Sequence, residues 1–174
     1  RLLELQRLFL LTGGMPEAVQ RLCDTRDLDQ VQMVQAAIVD TYRDDFAKYG
    51  SRRQLLRLQR IFDYVPLAVG EKLKYVDIDP NEQARELRAA LDLLVMANLL
   101  MKAHNKDASV IPQRATADPR VFKTFFLDCG LVAYPAGNPH LTTEQIQQRR
   151  FINEGKLAEQ CVAVWGQREA LDSL

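Results

Sequence analysis

The sequence predicts a mainly α fold, in which a helical lid-like segment is followed by a winged-helix-like module with a small β-hairpin. Apolar residues recur every three or four positions along most of the chain, which is the spacing of amphipathic helices. Two runs suited to strands follow three helical patterns, which is the element order of a winged helix-turn-helix. We expect the lid-like segment at residues 1–50, the module at 51–134, and a linker with the truncated start of a further domain at 135–174.

Three helices are expected in the lid-like segment. Residues 2–11 carry apolar side chains at helical spacing, and this helix should end at Gly13-Gly14. Pro16 suits the first turn of the next helix, because its missing N–H would have no intrahelical partner there. Over residues 31–49 the apolar periodicity is the clearest in the chain, so this stretch predicts a long third helix.

The module should begin with a helix that Ser51 can cap. Residues 66–75 could form a second, short helix, and residues 76–80 indicate an extended stretch that closes on a turn. Residues 81–98 predict a longer third helix, which either of two polar residues, Asp79 and Asn81, can cap. Two strand-like runs then follow, at 99–104 and 123–128, and can pair as a hairpin.

The third helix of a winged helix-turn-helix is the usual DNA reader. Opposite its leucine stripe, this one presents more acid than base, in Glu82, Arg85, Glu86 and Asp92. A groove-reading face has to neutralise phosphates, so this composition favours contact with protein. The whole chain also balances 23 basic against 23 acidic residues, which leaves no global field to attract nucleic acid or an acidic membrane.

The cysteines and the hydrophobic runs indicate a cytoplasmic protein. Cys23, Cys129 and Cys161 are odd in number and match no metal-ligand spacing, which is typical of reduced thiols in the cytosol. No apolar run approaches the roughly 20 residues that span a bilayer, so we expect no membrane partner. The chain starts without Met inside a helical pattern, and we expect it to be a fragment of a longer protein.

No motif of a catalytic site is present. The phosphate-binding pattern GxxxxGK[ST] is absent, and with it the backbone cradle and the Lys that hold ATP. His104 and His140 have no Cys, Asp or second His at ligand or triad spacing. We therefore expect this chain not to be an enzyme, and to carry no catalytic residue, no metal ligand and no cofactor of its own.

Four phrases stand out by their order and spacing: 12–19 (TGGMPEAV), 42–49 (YRDDFAKY), 122–131 (FKTFFLDCGL) and 154–159 (EGKLAE). Together they resemble prokaryotic predicted ATPases of the AAA superfamily that carry a C-terminal domain of unknown function. The resemblance implies an ATPase domain before residue 1, which would bind ATP and Mg and would be the upstream partner of this chain. It also implies a continuation past Leu174 into a restriction-endonuclease-like domain, with Glu159 on its first helix.

Within this resemblance, the segment around Gly13, Gly14 and Pro16 is similar to a lid element whose Pro packs near the adenine. It therefore implies that these residues sense the nucleotide bound by the absent ATPase domain. On the residues alone, the end of one helix and the start of the next is the commoner explanation, and the resemblance brings the two explanations level.

Arg53, Arg57 and Arg60 recur at i, i+4 and i+7, which places three guanidinium groups along one helix face. Such a stripe can bind phosphate, either of ATP or of nucleic acid, or it can be a solvated face. The expected function is a non-catalytic C-terminal module that couples nucleotide state in an AAA-type ATP-binding protein to a protein partner. The alternative is a winged-helix DNA-binding regulatory module.

Overall fold

The computed structural model describes residues 2–48, 50–104, 121–133 and 154–172. Helices dominate these residues, and one two-stranded antiparallel sheet lies among them, which confirms the mainly α class with a small hairpin. The elements are α1 (Leu2–Thr12), α2 (Pro16–Thr25), α3 (Leu28–Asp45), α4 (Arg52–Tyr64), α5 (Tyr75–Ile78), α6 (Ala84–Met96), β1 (Leu100–His104), β2 (Phe122–Phe126), α7 (Cys129–Ala133) and α8 (Glu154–Asp172). None of the described helices is both long and apolar enough to cross a membrane.

Helix α1 ends, and helix α2 begins, where the sequence predicts. Gly13 ends α1 with a left-handed backbone (φ 75°), and its N–H donates to the carbonyl of Phe9 at 2.7 Å. Pro16 is the first residue of α2. Asp27 caps α3 by accepting a hydrogen bond from the N–H of Asp29 at 2.9 Å. The predicted helix boundaries here therefore follow from local chemistry.

A continuous hydrophobic core joins α3 to the helices and strands that follow it. Ser51 caps α4 as predicted, because its hydroxyl accepts from the N–H of Gln54 at 3.4 Å. The Phe62 ring on α4 lies between two others, at centroid distances of 5.1 Å from Phe46 and 4.8 Å from Phe126. The lid-like segment and the hairpin are thus packed against one helix.

The hairpin pairs in a single register. β1 and β2 run antiparallel with Leu100 opposite Phe126. On the other edge of β2, Lys72 forms an isolated antiparallel bridge with Lys123. The segment between α4 and α5 thus extends the sheet by one residue pair.

Some predictions for the module are wrong in detail. Residues 76–80 are not extended, because α5 occupies Tyr75–Ile78. Asp79 does not cap α6: its Oδ1 accepts from the N–H of Asn81 at 2.9 Å, and its Oδ2 pairs with Arg60. Nor does Asn81, since α6 starts after Gln83 without a side-chain cap. Asp79 lies four residues before Gln83, the N-cap position, which is too far from α6 to cap it.

Two further predicted helices differ in length. The helix expected over 31–49 starts at Leu28 and ends at Asp45, followed by a 3₁₀ turn at Phe46–Lys48, and Tyr49 lies outside the described residues. Of the short helix considered for 66–75, only the 3₁₀ turn Val65–Leu67 forms near its start. Helical spacing of apolar residues does not reveal where a helix tightens or stops.

Helix α8 packs on the hairpin through polar contacts. The fully buried Gln160 pairs its amide with Phe126: its Oε1 accepts from the backbone N–H at 3.0 Å, and its Nε2 donates to the backbone carbonyl. Lys156 pairs with Glu71 at 2.6 Å. The linker expected from residue 135, with His140, lies outside the described residues up to 153, and the assignment of 135–174 to a further domain stays a prediction.

Candidate functional site

The Gly13-Gly14 turn lies against the start of α7, and Asp128 joins the two. The backbone N–H of Gly14 donates to Oδ2 of Asp128 at 2.7 Å. The other oxygen, Oδ1, accepts from the N–H of Gly130 at 2.8 Å, which caps α7. One carboxylate therefore connects the loop after α1 to the helix after β2. We call this contact the glycine–aspartate junction.

The junction is packed too closely for side chains. A Cβ on Gly13 would lie 1.9 Å from Oδ1 of Asp128, and a Cβ on Gly130 would lie 2.3 Å from the carbonyl oxygen of Thr12. Real Cβ atoms essentially never come within 3.0 Å of such neighbours. Glycine is thus needed on both sides of the junction for the backbones to meet.

A buried amide on α3 completes the junction. Nε2 of Gln35, which is fully buried, donates to the carbonyls of Leu11 at 2.9 Å and Thr12 at 3.1 Å. These carbonyls belong to the last turn of α1, where no intrahelical donor remains. Two buried oxygens next to these contacts, Oε1 of Gln35 and Oγ1 of Thr12, have no hydrogen-bond partner among the described residues. The interior of the junction is therefore polar.

Of the predicted nucleotide-sensing residues, Gly13 and Gly14 lie at the junction, and Pro16 lies on the surface at the start of α2. Gly13 is buried, whereas Gly14 and Pro16 are exposed. The sequence interpretation missed Asp128, which it places only at the end of the strand-like run 123–128. Asp128 lies within the phrase 122–131, two residues before Gly130. That position is the signal that could have indicated Asp128 as a site residue.

The predicted arginine stripe is divided between different partners. Arg57 is only 12% exposed and lies between two carboxylates, with Nε 2.7 Å from Glu82 and Nη1 2.7 Å from Glu86. Arg60 pairs with Asp79. Arg53 is exposed, and the described part of the chain gives it no carboxylate partner. Two of the three guanidinium groups thus connect α4 to the start of α6, and phosphate binding by the stripe stays a prediction.

Arg57→Ala should lower the free energy of unfolding by about 2 kcal/mol, because Glu82 would lose its cation and Glu86 would keep only the exposed Arg85. Urea denaturation followed by circular dichroism measures the change. Arg53→Ala, on the exposed part of the same helix, is the matched control and should stay within about 0.5 kcal/mol of wild type. Equal losses in the two variants would contradict a structural role for Arg57.

An apolar cavity of about 390 Å³ opens beside the C-terminal end of α6. Tyr42, Phe46 and Leu58 line its inner side, and Leu93 and Met96 line its mouth. Met96 is 78% exposed, so its side chain is available to a partner. Burial, and then the negative charge of Asp128, raise the pKa of Tyr42.

No group of three or more His, Cys, Asp or Glu side chains that could hold a metal ion occurs within the described ranges. A family model described as Domain of unknown function (DUF8612) matches residues 3–142, which include every element from α1 to α7 except the first residue of α1. This description names no activity and does not link the chain to AAA ATPases. No curated protein and no solved structure matches the chain.

Proposed function

We propose that this chain, which belongs to the DUF8612 family, is a non-catalytic C-terminal module of an AAA-type ATP-binding protein and couples nucleotide state to a protein partner. In this proposal the upstream ATPase domain binds ATP and Mg. The segment from Gly13 to Pro16 responds to the nucleotide, and the helices and hairpin after residue 51 transmit the response.

The observation that carries the proposal is the glycine–aspartate junction. Asp128 accepts hydrogen bonds from Gly14 on one side and Gly130 on the other, at 2.7 and 2.8 Å. Because no space separates the two backbones, a shift of the loop after α1 has to displace α7 or break these bonds. The junction therefore supports a direct mechanical link between the predicted sensing segment and the hairpin.

The arrangement of the strands supports a winged-helix-like module. In that fold a short strand between the first and second helices pairs with the last strand of the hairpin. Lys72 occupies the corresponding place here: it lies between α4 and α5 and bridges to Lys123 on β2. β1 lies on the opposite edge of β2. By this correspondence α6 is the third helix, whose exposed face selects the partner.

The exposed face of α6 favours a protein partner. Arg57 pairs with Glu82, just before α6, and with Glu86 in its first turn, so the acidic residues near its start are neutralised. At its other end, Leu93 and Met96 are exposed beside the apolar cavity. An apolar surface next to a cavity is suited to burying a side chain of another protein.

Hydrogen exchange in the full-length protein tests the coupling. Adding ATP and Mg²⁺ should slow amide exchange at residues 13–16 and also in β2 and α7. Asp128→Asn should keep the slower exchange at residues 13–16. It should at least halve the slowing in β2 and α7, because the Asn NH₂ group cannot accept one of the two hydrogen bonds. Asp24→Asn, on the exposed face of α2, is the matched control and should keep both responses. If ATP and Mg²⁺ slowed amide exchange in the wild type only at residues before 13, the proposal would be contradicted.

One observation favours the alternative DNA-binding function. Arg88 is exposed on α6, and with Glu82 and Glu86 covered by Arg57 the helix presents less free acid than its sequence indicates. Binding of duplex DNA measured by fluorescence anisotropy at several salt concentrations separates the two functions. A slope of log K against log salt near zero removes the DNA function, and a steep slope removes the proposal of a protein partner.

A further inference from the structure

A second cavity, of about 400 Å³, lies between the hairpin and α8. Phe125 of β2 and Ala163 of α8 contribute apolar lining, and two lysines, Lys72 and Lys123, also line it. His104, the last residue of β1, lies at the same cavity. We call this space the hairpin cavity. An apolar wall with a few charged donors is the usual composition of a small-molecule site.

The two lysines of the hairpin cavity lie directly opposite each other. Lys72 and Lys123 form the isolated antiparallel bridge at the outer edge of β2. Beside them, the N–H of Leu73 donates to the carbonyl of Phe122 at 3.0 Å. Residues that face each other in this way have Cβ atoms about 5 Å apart, and like charges in these positions repel. An anion bound next to the two lysines would offset that repulsion.

The carboxylates beside this pair are too few to balance the lysines. Glu159 of α8 pairs with Lys123 at 2.5 Å. Glu71, which precedes Lys72 in the chain, pairs with Lys156 at 2.6 Å. Within the part of the chain that the structure describes, no carboxylate pairs with Lys72, which is exposed. Three lysines therefore share two carboxylates, and the ammonium group of Lys72 is available to a ligand.

We propose that the hairpin cavity binds a small organic anion, whose carboxylate pairs with Lys72 and whose apolar body lies against Phe125 and Ala163. The single excess positive charge matches one carboxylate. The apolar wall favours an aliphatic or aromatic body over a bare inorganic ion. This inference does not depend on the proposed coupling function, because it uses none of the contacts of the glycine–aspartate junction.

Such a ligand would strengthen the attachment of α8. The cavity lies between β2 and α8, which are joined by the amide contact of Gln160 with Phe126 and by the ion pair of Glu159 with Lys123. A ligand that contacts both elements stabilises their packed state, because it binds that state more tightly than one in which α8 has moved away. α8 also lies beyond residues 3–142, the part that matches the family. The ligand would therefore fasten this helix to the family domain.

The test is an NMR titration of the intact chain with two probes, phenylacetate and hexanoate. Both should shift the amide signals of Lys72, Lys123 and Ala163, and both should slow amide exchange in α8. Phenylacetamide, which has a similar shape but no charge, should bind at least about tenfold more weakly, because the ion pair is lost. Inorganic phosphate, which has no apolar body, should also bind at least about tenfold more weakly than phenylacetate.

Lys72→Gln removes the charge and should weaken phenylacetate binding by at least about tenfold. Lys74→Gln is the matched control: Lys74 is an exposed lysine of the same segment, outside the described lining of the cavity, and its loss should leave the affinity unchanged. Ala163→Leu, which fills the cavity from α8, should also weaken binding, with circular dichroism as the check on folding. The proposal is overturned if neither carboxylate shifts the three signals, if phenylacetamide or phosphate binds as tightly as phenylacetate, or if Lys72→Gln and Lys74→Gln bind it equally.

Discussion

Gly13→Ala should lower the free energy of unfolding by about 3 kcal/mol. The backbone of Gly13 is left-handed (φ 75°), where an alanine Cβ costs about 1–2 kcal/mol. The added Cβ would also lie 1.9 Å from Oδ1 of Asp128, and forcing atoms into such a packed site costs a further 1–3 kcal/mol, roughly. Urea unfolding followed by circular dichroism, with a constant m-value, measures the loss.

Gly155→Ala is the matched control for this substitution. Gly155 lies in α8, and an added Cβ there would meet no atom within 4 Å. Because Gly155 is the second residue of α8, where helix propensity counts less than in the interior, this variant should stay within about 0.5 kcal/mol of wild type. A Gly13→Ala protein as stable as the wild type would mean that the loop after α1 does not rest on Asp128.

Asp128→Ala should also lower the free energy of unfolding by about 3 kcal/mol, because it leaves the N–H groups of Gly14 and Gly130 without their charged acceptor. Asp128 is only 8% exposed, so water replaces it poorly. The same denaturation experiment applies, and hydrogen exchange should show faster exchange at Gly14 and in α7.

Asp128→Asn keeps the volume of the side chain, so it separates the effect of losing hydrogen bonds from the effect of losing volume. The amide keeps one acceptor oxygen, so it should retain about half of the stability that alanine loses. Asp24→Ala, which removes an exposed carboxylate bonded only to Gln20 among the described residues, should change stability by less than about 0.5 kcal/mol. If the Asn and Ala variants of Asp128 were equally unstable, the hydrogen bonds that the carboxylate accepts would not explain the loss of stability.

The sequence predicted the helices whose starts and ends depend on neighbouring residues. Gly13, Pro16 and Ser51 end or begin helices as expected, since each acts through its own backbone or on the next turn. The strand pairing was also predictable, because the two apolar runs are close in sequence. By contrast, Asp79 was expected to cap α6, but α6 begins only at Ala84, and Asp79 pairs instead with Arg60 on α4.

The candidate site was predictable only in part. Gly13 and Gly14 were identified from the sequence, but Asp128 is 114 residues from Gly14, and no periodicity connects them. Arg57 belonged to a regular i, i+4, i+7 pattern, yet its partners are Glu82, just before α6, and Glu86 on α6. The same arginine spacing is compatible with a free stripe and with a buried ion pair, and only the packing of α4 on α6 distinguishes them.

The sequence by itself determined the mainly α class, the ends of the first helices, the hairpin and the absence of a phosphate-binding motif, because each depends on residue types close together in the chain. Tertiary structure alone decided that Asp128 joins the loop after α1 to α7 and that Arg57 is neutralised. These contacts depend on how the helices pack on the shared core. Local spacing does not encode such distant neighbours.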